Sequence, residues 1–168
     1  MPETRVEKLI FGIFMSVSMA IGMEIYNVAI SMGYAAQVGG LSSMRNAVFP
    51  AALVEASYMW IFVFIFSNLW GNRGGRALAA KIIRPGQDNP FFVTLVISGC
   101  TVLVMCPTMS MVAALLFSVA PGYAAITELP AVWVGTLIKN FPMALLWNFF
   151  AAGPLSRLLF RSIFRRNK

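Results

Sequence analysis

Residues 9–31 form an unbroken apolar run, LIFGIFMSVSMAIGMEIYNVAIS, which carries a single charged side chain, Glu24. About 20 apolar residues in a helix are enough to cross the hydrocarbon core of a bilayer. Steps of four and three residues return to nearly the same side of a helix. One narrow face of this run therefore collects small and polar residues: Gly12, Ser16, Ala20, Glu24, Asn27 and Ser31. Because such a face is costly in lipid, we expect other helices to cover it.

The composition assigns the whole chain to a membrane. Of its 168 residues, 59% are hydrophobic and 11% are charged, whereas soluble proteins have about 45–50% apolar and about 25% charged residues. The net charge of +7 could indicate nucleic-acid binding, but the basic residues lie between apolar runs and at the C-terminus. Anionic lipid headgroups would meet them there. We expect a lipid bilayer with anionic headgroups as partner, and no nucleic acid.

Histidine is absent from the chain, and cysteine occurs only twice. Histidine-ligated haem, histidine-bearing zinc sites and histidine-based acid–base catalysis are therefore excluded. Cys100 and Cys106 lie on one predicted helix, about 9 Å apart along its axis, which is too far for a disulfide within that helix. They are interpreted as buried thiols that pack as small hydrophobic groups. No general base and nucleophile pair is visible, so we expect neither a cofactor nor an enzyme.

Three further apolar runs of membrane-spanning length follow the first. They cover residues 50–70, 91–119 and 130–152, and all four runs are predicted to be transmembrane helices. The predicted fold is an all-α integral membrane protein that forms a single domain, 1–168. Short basic amphipathic helices are expected after the second and fourth spans. Their basic side chains are predicted to contact headgroups: Arg73, Arg76, Lys81, Arg84, Arg157, Arg161 and Arg165.

The basic residues also predict an orientation. They concentrate in the N-terminus, the middle loop and the C-terminus, whereas the other two loops hold only Arg45. Since cytoplasmic loops of membrane proteins carry the excess of lysine and arginine, both termini are predicted to lie in the cytoplasm.

The two halves of the chain resemble each other, with repeats predicted at 1–85 and 86–168. The aligned positions share one offset: Pro50, Ala51, Val54 and Asn68 with Pro130, Ala131, Val134 and Asn148. Each half holds two spans, so the repeats would be parallel. Asn68 and Asn148 fall near the predicted inner ends of spans and are interpreted as helix caps or headgroup ligands.

Several short motifs run along nearly the whole chain in a recognisable order. These are Met1-Pro2-x-Thr4-Arg5-x-Glu7-x-Leu9-Ile10-Phe11, Met23-x-x-Tyr26-Asn27, Lys139-Asn140-Phe141 and Ala152-Gly153-Pro154-x-x-Arg157. With these motifs the chain resembles a bacterial family of small four-helix inner-membrane proteins that is known only as a domain of unknown function. The resemblance implies a duplicated helical hairpin in the bacterial inner membrane, and it implies no activity. An acid at the position of Glu24 is not usual in that family, so a site built on Glu24 would be particular to this protein.

Three ionisable residues lie inside predicted spans: Glu24, Glu55 and Lys139. Such residues cost about 2.5–3.5 kcal/mol at mid-membrane on insertion scales, so they are candidates for function. Counted along their helices, all three fall in the outer half of the membrane at comparable depth. They could form a polar chamber in which the carboxylates bind a cation or proton, or a salt bridge that only orders helices. Hydrogen bonds from neighbouring side chains could complete either arrangement: Tyr26, Asn27 and Asn140.

Methionine is abundant, with 11 residues. Met19 and Met23 lie one turn apart in the first span, and Met105 and Met109 repeat this spacing beside Cys106. Soft sulfur ligands select Cu(I), so a copper path is conceivable, although methionine stripes on helices are more often adaptable packing.

The leading hypothesis is a small inner-membrane transport or permeation protein of unknown substrate. A homodimer is conceivable as the working assembly, because a single four-helix bundle fills its own core and leaves little lumen. The main alternative is a structural or accessory membrane protein whose ion pairs only order helices, and Cu(I) handling is a second alternative.

Overall fold

The computed structural model describes residues 4–38, 40–84 and 89–164, which form helices and turns and contain no strand. Six α-helices account for most of these residues: α1 (Arg5–Ser31), α2 (Val48–Phe66), α3 (Asn72–Ala79), α4 (Pro90–Ala114), α5 (Leu129–Trp147) and α6 (Gly153–Phe164). Four stretches are long and apolar enough to cross a membrane: Arg5–Ser31, Val48–Ala79, Phe91–Val119 and Ile126–Phe164. The predicted all-helical class and four apolar spans are confirmed.

Local signals explain where the first helix of each half begins. The Thr4 hydroxyl accepts a hydrogen bond from the Glu7 backbone N–H at 3.2 Å, and the Glu7 carboxylate accepts one from the Thr4 N–H at 3.3 Å. This reciprocal capping box satisfies two N–H groups that the helix itself leaves without partners. At the start of α4, the Asn89 side chain accepts from the Phe91 N–H at 2.9 Å, and Pro90 occupies the first turn, where a missing N–H costs nothing.

The predicted short basic helices are present, but no loop separates them from the spans before them. A five-residue π-helical segment, Ser67–Gly71, joins α2 to α3, and a second, Asn148–Ala152, joins α5 to α6. Spans and basic helices are therefore parts of the same long helices. At 1.5 Å per residue, the continuous 32-residue helix Val48–Ala79 is about 48 Å long, which exceeds a hydrocarbon core of about 30 Å.

The chain divides into two compact units. The first unit, drawn from Met1–Phe64 and Phe150–Lys168, contains α1, most of α2, and α6. Val28 and Ala29 of α1 share a buried cluster with Val48 and Ala52 of α2. The Phe160 ring of α6 meets the Phe11 ring of α1 edge to face, with 5.9 Å between the ring centroids, a favourable arrangement for aromatic pairs. Helix α1 is thus covered by both α2 and α6.

The second unit, Ile65–Phe149, contains α3, α4 and α5. Helix α4 is contacted from both sides. Gly75 of α3 lies directly against the Thr101 backbone of α4. From α5, the Trp133 indole Nε1–H donates to the Pro107 carbonyl at 2.9 Å. The indole of Trp70 donates to the Thr108 hydroxyl of α4 at 3.2 Å.

Each unit combines spans from one half of the chain with the basic helix from the other. Helix α3 belongs in sequence to the first predicted repeat but packs on α4, while α6 belongs to the second and packs on α1. Each basic helix is joined to the preceding span by a π-helical segment, so the long helix runs without a break from one unit into the other. The predicted repeat boundaries and the single domain stay predictions.

We predict that Gly75→Ala destabilises the protein because the added methyl group has no room. A Cβ atom at position 75 would lie 2.7 Å from the Thr101 Cα and 2.8 Å from its N, and crowding of this kind costs about 1–3 kcal/mol. The loss should appear as a lower unfolding free energy in detergent micelles, measured by circular dichroism.

Gly135→Ala in α5 is the matched control, since a Cβ there meets nothing within 4 Å. In that open helical position alanine should leave stability unchanged or raise it by about 0.5–1 kcal/mol. Equal stabilities of the two variants would contradict the close α3–α4 packing.

Candidate carboxyl-pair site

The polar face of α1 is buried where the sequence predicts it. Ser16, Ala20 and Glu24 follow one another at steps of four and are 3%, 2% and 2% exposed. Gly12 lies one turn earlier, and its Cα faces the Phe64 ring. The stripe ends at Ser31, which is exposed and donates its hydroxyl proton to the Val28 carbonyl at 2.9 Å. The prediction that this face contacts protein is confirmed for its central part.

Glu24 meets a second carboxyl group within the first unit. A side-chain hydrogen bond joins Glu55 of α2 to Glu24 of α1. Two ionised carboxylates can only accept hydrogen bonds, so this bond requires one of the two groups to carry a proton and donate it. Closely spaced carboxyl groups share a single proton in this way because two negative charges cannot lie side by side. Neutralisation also lowers the cost of burying Glu24 away from water.

Polar side chains of α1 and α2 surround this pair. Tyr58 lies within electrostatic range of both carboxyl groups. On α1, Tyr26 and Asn27 are half-buried. The Asn27 side-chain carbonyl oxygen is buried without a hydrogen-bond partner. Tyr58 was not among the sequence-predicted site residues, although its position three residues after Glu55 puts both on one helical face.

Lys139 and Asn140 lie on α5, in the second unit. Lys139 is half-buried and Asn140 is 4% exposed. Their predicted participation in one chamber with Glu24 and Glu55 stays a prediction.

The sulfur ligands proposed for Cu(I) occupy both units. Met19 and Met23 of α1 are half-buried in the first unit. In the second unit Met105 is buried against Gly71, and the Cys106 thiol lies 3.9 Å from the Ser110 hydroxyl; Met109 is half-buried. Met105 therefore fills the space that glycine leaves, which is a packing role. Both cysteines are free and buried, as predicted.

The basic residues of α3 and α6 lie mostly at the surface. Arg73, Arg76, Lys81, Arg84 and Arg161 are exposed, and Arg157 is half-buried. The Arg76 side chain folds back on its own helix and donates from Nε to the Asn72 carbonyl at 3.1 Å. Arg165, which was predicted to join this set, lies outside the described residues.

The interpretation of Asn148 as a helix cap is wrong. Asn148 begins a π-helical segment in the interior of the continuous helix Ile126–Phe164, and it is only 6% exposed. Its side-chain carbonyl oxygen is buried without a hydrogen-bond partner. Sequence alone misplaced it because Gly153 and Pro154 resemble a helix end, whereas the helix continues through them.

The helices α4, α5 and α6 together make up the segment for which a related family is known. Residues 87–164 match the family described as Domain of unknown function (DUF2798). The predicted resemblance to a domain-of-unknown-function family is thereby confirmed for this segment. No curated protein and no solved structure matched the chain. The match assigns no activity, so function has to be argued from the carboxyl pair and its surroundings.

We predict an infrared signature of the shared proton. At neutral pH the purified protein should show the carbonyl stretch of a protonated carboxylic acid, which shifts on exchange into D2O. Glu24→Gln and Glu55→Gln should each abolish the band, because each removes one of the two groups that share the proton.

Glu7→Gln is the control for this measurement, since Glu7 lies in the capping box at the start of α1. Glutamine also suits that motif, so the band should persist in this variant. A band of full strength in both Glu24→Gln and Glu55→Gln would contradict the shared proton.

Proposed function

We propose that this chain is a small membrane transport or permeation protein in which Glu24 and Glu55 bind a proton or a cation. The observation that carries the proposal is the hydrogen bond between the two carboxyl groups, with Glu24 almost fully buried in a membrane-spanning helix. An ionisable group in a span is costly, and in known membrane proteins it commonly marks an ion or proton pathway. The substrate beyond this class is unknown.

The pair offers a simple cycle of binding and release. With one proton between them, the two groups carry a single negative charge. A second proton would neutralise the site, whereas a monovalent cation that displaces the shared proton would leave its net charge at minus one. Tyr58 can adjust to each state because a phenol both donates and accepts hydrogen bonds. In this proposal Tyr26 and Asn27 of α1 complete the polar lining of the site.

The topology is proposed from the charge pattern. We place the protein in the bacterial inner membrane as a multi-pass protein with both termini in the cytoplasm, because the basic residues gather in the N-terminus, middle loop and C-terminus. The exposed arginines of α3 and α6 would then contact anionic headgroups of the inner leaflet. A homodimer remains part of the proposal, and neither nucleic acid nor an enzymatic reaction does.

Two observations support the proposed parallel repeat. Helices α2 and α5 each have 19 residues, and each is followed by a five-residue π-helical segment and then by a basic helix. The starting residues of these three elements are offset by 81 positions between the halves, one more than the offset of 80 in the sequence alignment: Val48, Ser67 and Asn72, against Leu129, Asn148 and Gly153. The family match over 87–164 also nearly coincides with the second predicted repeat, 86–168.

The principal alternative is a structural or accessory membrane protein. The Glu24–Glu55 hydrogen bond joins α1 to α2, and a polar contact of this kind can fix the pairing of two membrane helices without any transported ion. Cu(I) handling has less support, since Met105 is engaged in packing against Gly71 and Cys106 lies beside Ser110.

Flux measurements separate transport from a structural role. Proteoliposomes with the wild-type protein should dissipate an imposed pH or cation gradient, read with a pH-sensitive or ion-sensitive dye. Glu24→Gln and Glu55→Gln should lower the flux about tenfold or more, as loss of about 1.4 kcal/mol of binding free energy would.

Glu128→Gln is the matched control, because Glu128 is an exposed acid in the turn before α5. It should transport like the wild type. If the glutamine variants at positions 24 and 55 retain their helix content and full flux, the carboxyl pair is not the transport site. If the wild type shows no flux above protein-free liposomes, the structural alternative is favoured.

A further inference from the structure

The buried face of α5 and its continuation is polar along a line that follows the helix. Asn140, Ala144 and Asn148 succeed one another at steps of four, so they lie on one side of the helix. They are 4%, 5% and 6% exposed. All three belong to the second unit and to the membrane-spanning helix Ile126–Phe164. The Glu24–Glu55 pair belongs to the first unit.

Both asparagines of this line leave a hydrogen-bond acceptor unused. The Oδ1 atoms of Asn140 and Asn148 are buried and have no hydrogen-bond partner among the described residues. Buried polar groups in proteins are nearly always hydrogen-bonded, to protein or to ordered water. In a bilayer lipid tails offer no donor either, so each such oxygen needs a partner that comes from outside the protein.

The chemistry of the two sites favours water as that partner. A side-chain carbonyl oxygen accepts a hydrogen bond from water or coordinates a hard cation. Two oxygens eight residues apart are separated by about 12 Å along the axis, so no single ion could touch both. Ala144, which is 5% exposed, lies between them on the same side of the helix. Buried waters occupy polar sites of this kind and satisfy otherwise unpaired groups.

We propose that Asn140 and Asn148 each bind an ordered water molecule on the same membrane-embedded side of α5 and its continuation. These two water sites, about 12 Å apart along the helix axis, form a hydrated track inside the second unit. The ligand class is water or a similarly small hydrogen-bond donor. The track stands independently of the proposed transport function, because it requires no ion at Glu24 or Glu55.

Radiolytic hydroxyl-radical footprinting tests this directly, since radicals formed from bound water label side chains beside it. The readouts are Met143 and Trp147, the oxidation-sensitive residues next to the track in sequence. Both should be labelled several-fold faster in the wild type than in Asn140→Leu and Asn148→Leu, which remove the acceptors. Asn140→Ser and Asn148→Ser keep an acceptor oxygen and should retain the labelling. If the leucine variants fail to fold, the serine variants still test the proposal.

Three controls make the result specific. Asn27→Leu removes a comparable buried acceptor in the first unit and should leave labelling at Met143 and Trp147 unchanged. Glu24→Gln should also leave it unchanged, so a failure of the transport proposal does not affect this test. Replacing sodium and potassium by choline should have no effect. Labelling that depends on sodium or potassium, or that is equal in wild-type and leucine variants, would overturn the hydrated track.

Discussion

The constraint on which this structure depends is that lipid supplies no hydrogen-bond partner. Backbone groups are satisfied within helices, and polar side chains must then find partners in the protein or bring water with them. Glu24 has the side chain of Glu55 as a hydrogen-bond partner, and a proton shared between the two groups would lower the cost of burying them. The Trp133 and Trp70 indoles meet this requirement by donating to α4. Asn140 and Asn148 do not meet it among the described residues, which is why they point to bound water.

The continuity of the long helices sets the arrangement of the fold. A conventional turn after α2 or α5 would return the chain to its own hairpin, whereas a π-helical segment only adjusts the helix and lets it run on. Each basic helix can then pack on the first span of the other half. Small residues allow this packing, as Gly75 against Thr101 demonstrates, and close backbone approach of this kind is a main source of helix association in membranes.

The two candidate sites lie in different units and differ in their chemistry. The first unit holds an acidic pair that can take up or release charge, with Tyr58 beside it. The second holds neutral amide acceptors along α5.

Local signals made much of this protein predictable. The length of the apolar runs determined the four spans, since about 20 apolar residues are needed and suffice. The Thr4–Glu7 capping box and the Asn89-Pro90 start act over a few residues, so they can be read directly. The polar stripe of α1 was also visible, because helical periodicity alone shows which residues share a face.

Tertiary structure decided which of these surfaces meet. That Glu55 bonds to Glu24 depends on the register of α1 against α2, which no local pattern encodes. That α6 packs on α1 through Phe160 and Phe11 depends on contacts between residues about 150 positions apart in the chain. The position of Asn148 inside a helix was hidden because Gly153-Pro154 favours termination locally, while the packing of the whole helix overrides that preference. Sequence therefore determined the elements and their faces, and the partners of those faces were decided by long-range packing.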